Sequence, residues 1–266
     1  MPSKNKGGYI MKLNYLSNMT TKQVRNLEEK TNIALFPMGP CEVHGTHLPM
    51  MVDVVSANEM TERAAQKLKD KGIETLIAPT LHYTLADIAN SFDGNITLKF
   101  ETVANIVEDV CLGLAKWGFN KIVIVCAHGE PKNNEAIKEG IKRASLKKDG
   151  LNVKVSAWFH HGLPRMSSAC KGENPEWDFH AGEWETGLIL LRHPELVDQE
   201  ELIKLKPNYE AEHLFERISA GKNDWKDVGA PLAYLGDPQI ATKETGDKVY
   251  DIFSDIVVEE VLELIK

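Results

Sequence analysis

Apolar positions along this chain alternate between two rhythms, short continuous runs and helical spacings. Residues 33–38 (IALFPM) form an unbroken apolar run ending in Gly39-Pro40, the signature of a strand buried on both faces. From Val54 to about Lys71 the apolar residues Ala57, Met60, Ala64 and Leu68 fall three or four apart, which predicts a helix. Residues 74–79 (ETLIAP) read as a second strand. Val103, Ile106, Val107, Val110 and Leu114 mark a second helix, stopped near Gly118. Residues 121–127 (KIVIVCA) are the clearest strand, β-branched and ending in His128-Gly129. A helix over about 133–147 and a strand over 153–159 (VKVSAWF) follow. After a loop over 161–180, one helix is centred on 183–192. A last helix, from about Lys243, carries Ile252, Phe253, Ile256, Val257, Val261 and Leu264 on one face.

Strand–helix alternation with right-handed crossovers predicts an α/β fold: three α/β/α layers, with a mainly parallel sheet flanked by helices. There is no internal repeat, low-complexity tract or linker. The expectation is a single domain over residues 13–266, preceded by a loose extension over residues 1–12.

Composition narrows the function classes. With 42% hydrophobic and 26% charged residues, the chain reads as an ordinary globular protein. A formal net charge of -8 argues against nucleic-acid or anionic-membrane partners and leaves a small-molecule substrate as the expected partner. Cys41, Cys111, Cys126 and Cys170 lie far apart without a C-x-x-C pair, as reduced thiols in a cytoplasmic protein do. The N-terminus lacks the apolar core of a secretory signal, and no apolar run is long enough to span a bilayer.

In open α/β sheets, ligands bind beyond the carboxyl ends of the strands. The first strand is followed by Glu42-Val43-His44-Gly45-Thr46-His47-Leu48-Pro49 and then Asp53. In an extended segment, residues two apart face one side, so Glu42 and His44 can share a site, with Asp53 folding back onto it. The third strand is followed by His128-Gly129-Glu130, again a histidine and a carboxylate two apart. Such nitrogen and oxygen donors suit Zn²⁺ or Mn²⁺, and Fe is also compatible. Asp53 is the natural bridge between two ions, which would activate a water as nucleophile. Taken singly, Glu42 and Asp53 could be solvated charges or helix caps, and His44, His47 and His128 structural histidines. Two His/carboxylate pairs at matching strand ends favour the metal reading.

These residues carry a resemblance. The stretch P-x-G-x-x-E-x-H-G-x-H-L-P over 37–49, followed by Asp53, is similar to the first metal motif of the creatininase (creatinine amidohydrolase) family. Ala127-His128-Gly129-Glu130, His180-Ala181-Gly182-Glu183-Trp184-Glu185-Thr186-Gly187 and Tyr234-Leu235-Gly236-Asp237-Pro238 follow in family order. The resemblance implies a binuclear centre. One ion would be held by His44, Asp53 and His128, and the other by Glu42, the shared Asp53 and Glu130. It also implies that His180 handles substrate and protons, with Glu185 a ligand or an outer support. It further implies a homo-oligomer, with a hexamer as one form. The plainer reading of Glu185 is a buried pair with Arg192.

The chain departs from the family pattern at Pro131-Lys132, where an asparagine is usual, at Gly187, where serine is usual, and at Phe179, where the name-giving enzyme has an acid. The loop from Leu81 to Gly94 is unlike a creatinine pocket. Its His82, Tyr83, Asp87 and Asn90, with Gly129, Trp177 and Asp178, are the expected substrate contacts, and they point to a hydrogen-bonding substrate other than creatinine. The family chemistry implied is mostly amide cleavage. The competing reading is C–C hydrolysis of a cyclic polyol diketone such as 3-dehydro-scyllo-inosose. A non-catalytic protein with one structural metal is the remaining alternative, and an open coordination position would exclude it.

Overall fold

The computed structural model describes residues 13–266, so the expected extension over residues 1–12 lies outside the described residues. Five parallel strands form one sheet in the order β1-β3-β2-β4-β5. They are β1 (Asn14–Tyr15), β2 (Ile33–Met38), β3 (Leu76–Ile77), β4 (Lys121–Cys126) and β5 (Asn152–Val155). The helices, in chain order, are α1 (Thr21–Glu28), α2 (Val52–Asp70), α3 (Phe100–Lys116), α4 (Pro131–Lys147), α5 (Trp158–Met166), α6 (Glu183–Arg192), α7 (Gln199–Leu202), α8 (Leu214–Ser219) and α9 (Lys243–Leu264).

Alternation along the central strands divides the core. Ile33 and Leu35 of β2 and Val123 and Val125 of β4 face one layer, packed with α2, α5, α6 and α9. Ala34, Phe36, Met38, Ile122, Ile124 and Cys126 face the other, packed with α1, α3 and α4. Because both faces are covered, β2 and β4 read as continuous apolar runs. A third, smaller cluster built from Val43, Ile88, Leu214, Trp225, Val228 and Leu235 sits over the carboxyl edge of the sheet. Among the described residues no helix is long and apolar enough to cross a membrane.

Two expected elements end differently. The strand expected over 153–159 stops at Val155, and Trp158–Met166 is helical. Trp158, Gly162 and Met166, four apart, are its buried face, a helical period that outweighs the alternation of Val153 and Val155. Part of the loop expected over 161–180 is therefore helix. The strand expected over 74–79 is reduced to Leu76–Ile77, which pairs with β1 on one side and β2 on the other. Helix α1 and strand β1 have no counterpart in the pattern. The α1 start carries a capping box in which Thr20 and Gln23 satisfy each other's backbone N–H groups.

Connectivity locates the crevice. From β2 the chain moves to β3 on one side, then crosses to β4 on the other. The carboxyl ends of β2 and β4, paired at Met38 and Cys126, therefore flank the topological switch point.

Candidate metal centre and active site

The loop leaving β2 turns inward, burying Glu42, His44 and His47, while Asp53 is buried in the first turn of α2. The helix N-terminus favours a carboxylate there. Gly39 permits the approach, since a Cβ on it would lie 2.7 Å from the Asp53 carbonyl carbon. From β4 come His128 and Glu130, the residue preceding α4. Glu185 arrives from the first turn of α6 and is buried.

His44 Nδ1 lies 3.1 Å from the Glu42 carbonyl, which can only accept, so Nδ1 carries the proton and Nε2 faces the centre. That Nε2 lies 3.6 Å from Asp53 Oδ2 and 3.7 Å from Glu185 Oε1. His128 Nδ1 lies 2.9 Å from Glu42 Oε2, and its Nε2 lies 3.5 Å from Glu130 Oε2. Three donor groups result, Glu42–Asp53–His128, His44–Asp53–Glu185 and Glu42–His44–His180, each offering ligand atoms within 4.8 Å of one another. Asp53 belongs to the first two, as a bridging carboxylate would, and the third sets His180 beside them.

This grouping differs from the expected division of donors. Glu185 stands with His44 where His128 was expected, and Glu130 sits one step out, accepting a hydrogen bond from the Ile88 N–H at 3.3 Å. The alternative partner for Glu185 is occupied elsewhere, because Arg192 Nε donates to Glu59 at 2.7 Å.

Whether these residues fit cations is decided by their unmet valences. Glu42 Oε2, His44 Nε2, Asp53 Oδ2 and His128 Nε2 are all buried and have no hydrogen-bond partner. Orphan polar atoms converging on one point are costly unless something satisfies them. Divalent ions bound by nitrogen and oxygen would do so.

The electrostatics agree. Burial works against a charged His44, but Asp53 and Glu185 outweigh it and raise its pKa to about 10. Burial likewise opposes charge on His128, and Glu42 foremost reverses this, raising it well above the ordinary value. Burial would raise Glu42, yet His128, His180 and His44 together hold it below the usual carboxylate range. Asp53 is pushed well up by burial, only partly opposed by His44. Protons thus occupy the positions that cations would take.

His180 is buried, stacks on Trp225 with ring centroids 4.4 Å apart, and turns Nε2 to the Val43 carbonyl at 2.9 Å. Burial and then the neighbouring His44 charge lower its pKa to about 4. His47 is held to the opposite element, its Nε2 lying 2.9 Å from Thr186 Oγ1.

A cavity of about 70 Å³ opens onto these residues. Asp53, His128, Gly129, Glu130, His180 and Glu185 form its polar side. Trp158, Phe159, Phe179, Trp184 and Trp225, with Ile88, Leu214 and Ile218, form the rest. Among the described residues no lysine or arginine lines it. Of the expected substrate contacts, only Gly129 does. His82 and Asn90 are exposed, and Tyr83 is 46% exposed. Asp87 is engaged by Lys132 and Thr97. Trp177 stacks behind Phe179, and Asp178 lies buried under the α6 N-terminus, accepting from the Glu183 N–H at 2.6 Å. The pattern did not single out Trp158 or Trp225 as site residues. A lone tryptophan in a helix or polar turn has no signal separating it from core.

An α/β/α sheet with a buried, carboxylate-bridged donor pair at its switch point defines a metal-dependent hydrolase. The creatininase family, described as creatinine amidohydrolase, matches residues 17–261, and the chain belongs to it. Creatinine amidohydrolase of Pseudomonas putida is 29% identical over 188 residues, 66% of this chain and 70% of that one. Mycofactocin precursor peptide peptidase of Mycobacterium ulcerans (strain Agy99) is 25% identical over 257 residues, covering 95% and 94%. A 3-dehydro-scyllo-inosose hydrolase of Thermotoga maritima is 24% identical over 201 residues, covering 73% and 60%. Among solved structures, a creatinine amidohydrolase superposes with a TM-score of 0.76 at 22% identity, covering 95% of this chain and 98% of that one. Related solved forms of creatininase are described as manganese and Zn-Zn types.

Proposed function

We propose that this protein cleaves an amide bond next to an uncharged, flat or apolar group of its substrate. The observation carrying this is the wall of the catalytic cavity, which five aromatic side chains line and, among the described residues, no cationic side chain does. A polyol would need hydrogen-bonding groups on that wall, whereas aromatic faces suit planar amides and aromatic or aliphatic substituents. The C–C hydrolase reading is therefore supported less, because Asp87 and Asn90, its expected polar contacts, do not line the cavity.

Two divalent ions held by Glu42, Asp53, His128, His44 and Glu185 would polarise the carbonyl and acidify the attacking water. The chain's own residues do the rest. With Nε2–H committed to the Val43 carbonyl, His180 has Nδ1 as its proton-accepting nitrogen. Its lowered pKa keeps it neutral near pH 7, so Nδ1 can take the proton of the attacking water and return it to the leaving nitrogen. Trp225, Phe179 and Leu214 line the cavity with apolar surface, and a substrate seated against them would displace water and strengthen the charge interactions beside it.

The test is a panel of aryl-substituted amides, ring amides and cyclic polyol ketones offered to metal-loaded and metal-stripped protein. Metal-dependent turnover of the amides is expected. Preferential turnover of polyol ketones, or full activity without metal, would overturn the proposal.

A further inference from the structure

Trp225 lies in the turn segment after α8, far in sequence from every donor, yet it is buried against two of the site residues. Its Nε1–H donates to Glu42 Oε1 at 3.1 Å. Its ring lies nearly parallel to the His180 imidazole, at an interplanar angle of 19°. Its backbone N–H donates to the Ile88 carbonyl at 2.9 Å, and the Ile88 N–H in turn reaches Glu130 Oε2. Trp225 thus touches two residues of the site and is linked through Ile88 to a third, Glu130.

The consequence for Glu42 is specific. With Oε1 taken by the indole, Oε2 is the oxygen left beside His128 Nδ1, and it is among the buried atoms lacking a hydrogen-bond partner. We infer that Trp225 is a positioning residue of the metal centre. Its N–H holds the Glu42 carboxylate so that one oxygen, Oε2, faces the donor group of Asp53 and His128, while its ring fixes the plane of His180. Outer partners of this kind typically change metal affinity by about 10- to 100-fold, because they set the orientation of the ligand they touch. The inference rests on the metal-centre reading above.

The experiment titrates metal-stripped full-length protein with Zn²⁺ and Mn²⁺ by calorimetry, and with Co²⁺ by visible absorption, for wild type, Trp225→Phe and Val228→Ala. Phenylalanine keeps a stacking ring and removes the N–H. Val228→Ala loosens the same cluster without touching Glu42. Trp225→Phe is expected to weaken one of the two ions about tenfold and alter the Co²⁺ band, with the other ion and the Val228→Ala titration unchanged. Equal affinities in Trp225→Phe and wild type would overturn the inference while leaving the metal centre standing. Equal losses in both variants would overturn it too, by reducing Trp225 to packing. A wild-type protein that binds no ions would sink the underlying reading itself.

Discussion

Gly187 offers the sharpest test of how the fold supports the site. Family members usually carry serine here, so Gly187→Ser restores the common residue. In this chain it should nevertheless be damaging. A Cβ at 187 would lie 2.7 Å from the Thr242 carbonyl oxygen and 2.8 Å from the Gly246 amide nitrogen, both backbone atoms at the start of α9. The reverse approach is as tight, since a Cβ on Gly246 would sit 2.4 Å from the Gly187 carbonyl carbon. Neither contact can be relieved by rotating a side chain, so α6 and α9 would have to part by roughly half an ångström or more. Overpacking of this kind costs about 1–3 kcal/mol. The better helix propensity of serine returns about 0.5 kcal/mol. A net loss of about 1.5 kcal/mol follows.

Unfolding entropy near 2.1 cal/mol/K per residue makes that loss about 3 °C in Tm for a chain of this length. The assay is calorimetry of metal-free wild type, Gly187→Ser and Gly187→Ala, followed by metal titration. Alanine should lose nearly as much as serine, since the Cβ does the damage. Because α6 carries Glu185, 3.7 Å from His44, the variants should also bind metal more weakly. A Tm within 1 °C of wild type, or above it, would refute the close-approach argument.

Asp53→Asn should abolish tight binding of both ions, as metal analysis of dialysed protein would show, because Asp53 is the donor common to the Glu42–Asp53–His128 and His44–Asp53–Glu185 groups. His180→Gln should lower turnover by about 10²- to 10⁴-fold, the usual range for a positioned acid–base group, with metal content unchanged. Loss of metal in that variant would assign it a different role. Asp178 gives a pH signature. Burial, with smaller help from Glu183 and Glu185, raises its pKa to about 8 despite two backbone hydrogen bonds. Folding therefore favours its protonated form, and this stabilisation is complete below its unfolded pKa near 4 and lost as pH rises toward 8. The Tm of wild type minus that of Asp178→Asn should fall between pH 5 and pH 8, and a rising difference would contradict the assignment. Glu59→Gln, which weakens contacts of the buried Glu59 to the partly buried Arg63 and the half-exposed Arg192, should destabilise by about 1–2 kcal/mol in urea unfolding.

The parts of the fold legible in the sequence are those where one physical signal dominates. Strands β2 and β4 are covered on both faces, so every residue but the leading Lys121 is apolar and the run stands out. Helix α9 is long enough for its stripe to accumulate. Helix α5 was obscured because Val153 and Val155 lead directly into it and Pro164 interrupts its own pattern. Strand β1 has only two residues, Asn14 and Tyr15, both half-buried, too few to show a period. The buried cluster of candidate donors Glu42, His44, Asp53 and His128 could be picked out because each follows a readable strand. Which donors pair could not be, since that depends on where α6 delivers Glu185. The loop over 81–94 puts none of His82, Tyr83, Asp87 and Asn90 into the lining of the cavity. Hydrogen-bonding side chains do not reveal from sequence whether they face a cavity, solvent or, as with Asp87, a neighbouring Lys132.

Helix α6 explains why one contiguous motif carries so much of the site. Ala181 is held at φ 50°, in the left-handed region that costs an ordinary residue about 1–2 kcal/mol, and there its N–H reaches the Glu185 carboxylate. Gly182 lets the Asp178 carboxylate press against the helix start. Glu183 turns away from the centre, accepting from the Lys171 and Gly172 N–H groups and from Thr245 Oγ1 of α9. Glu185, two positions on, faces His44, and Thr186 meets His47. Gly187 then lies against α9. Successive residues on a helix point about 100° apart, so one turn can reach the metal centre, the loop after β2 and the neighbouring helix together. The motif is therefore a junction. Any substitution in it that moves the first turn of α6 should change stability and metal affinity together, whereas Asp53→Asn, whose side chain faces only the centre, should separate them.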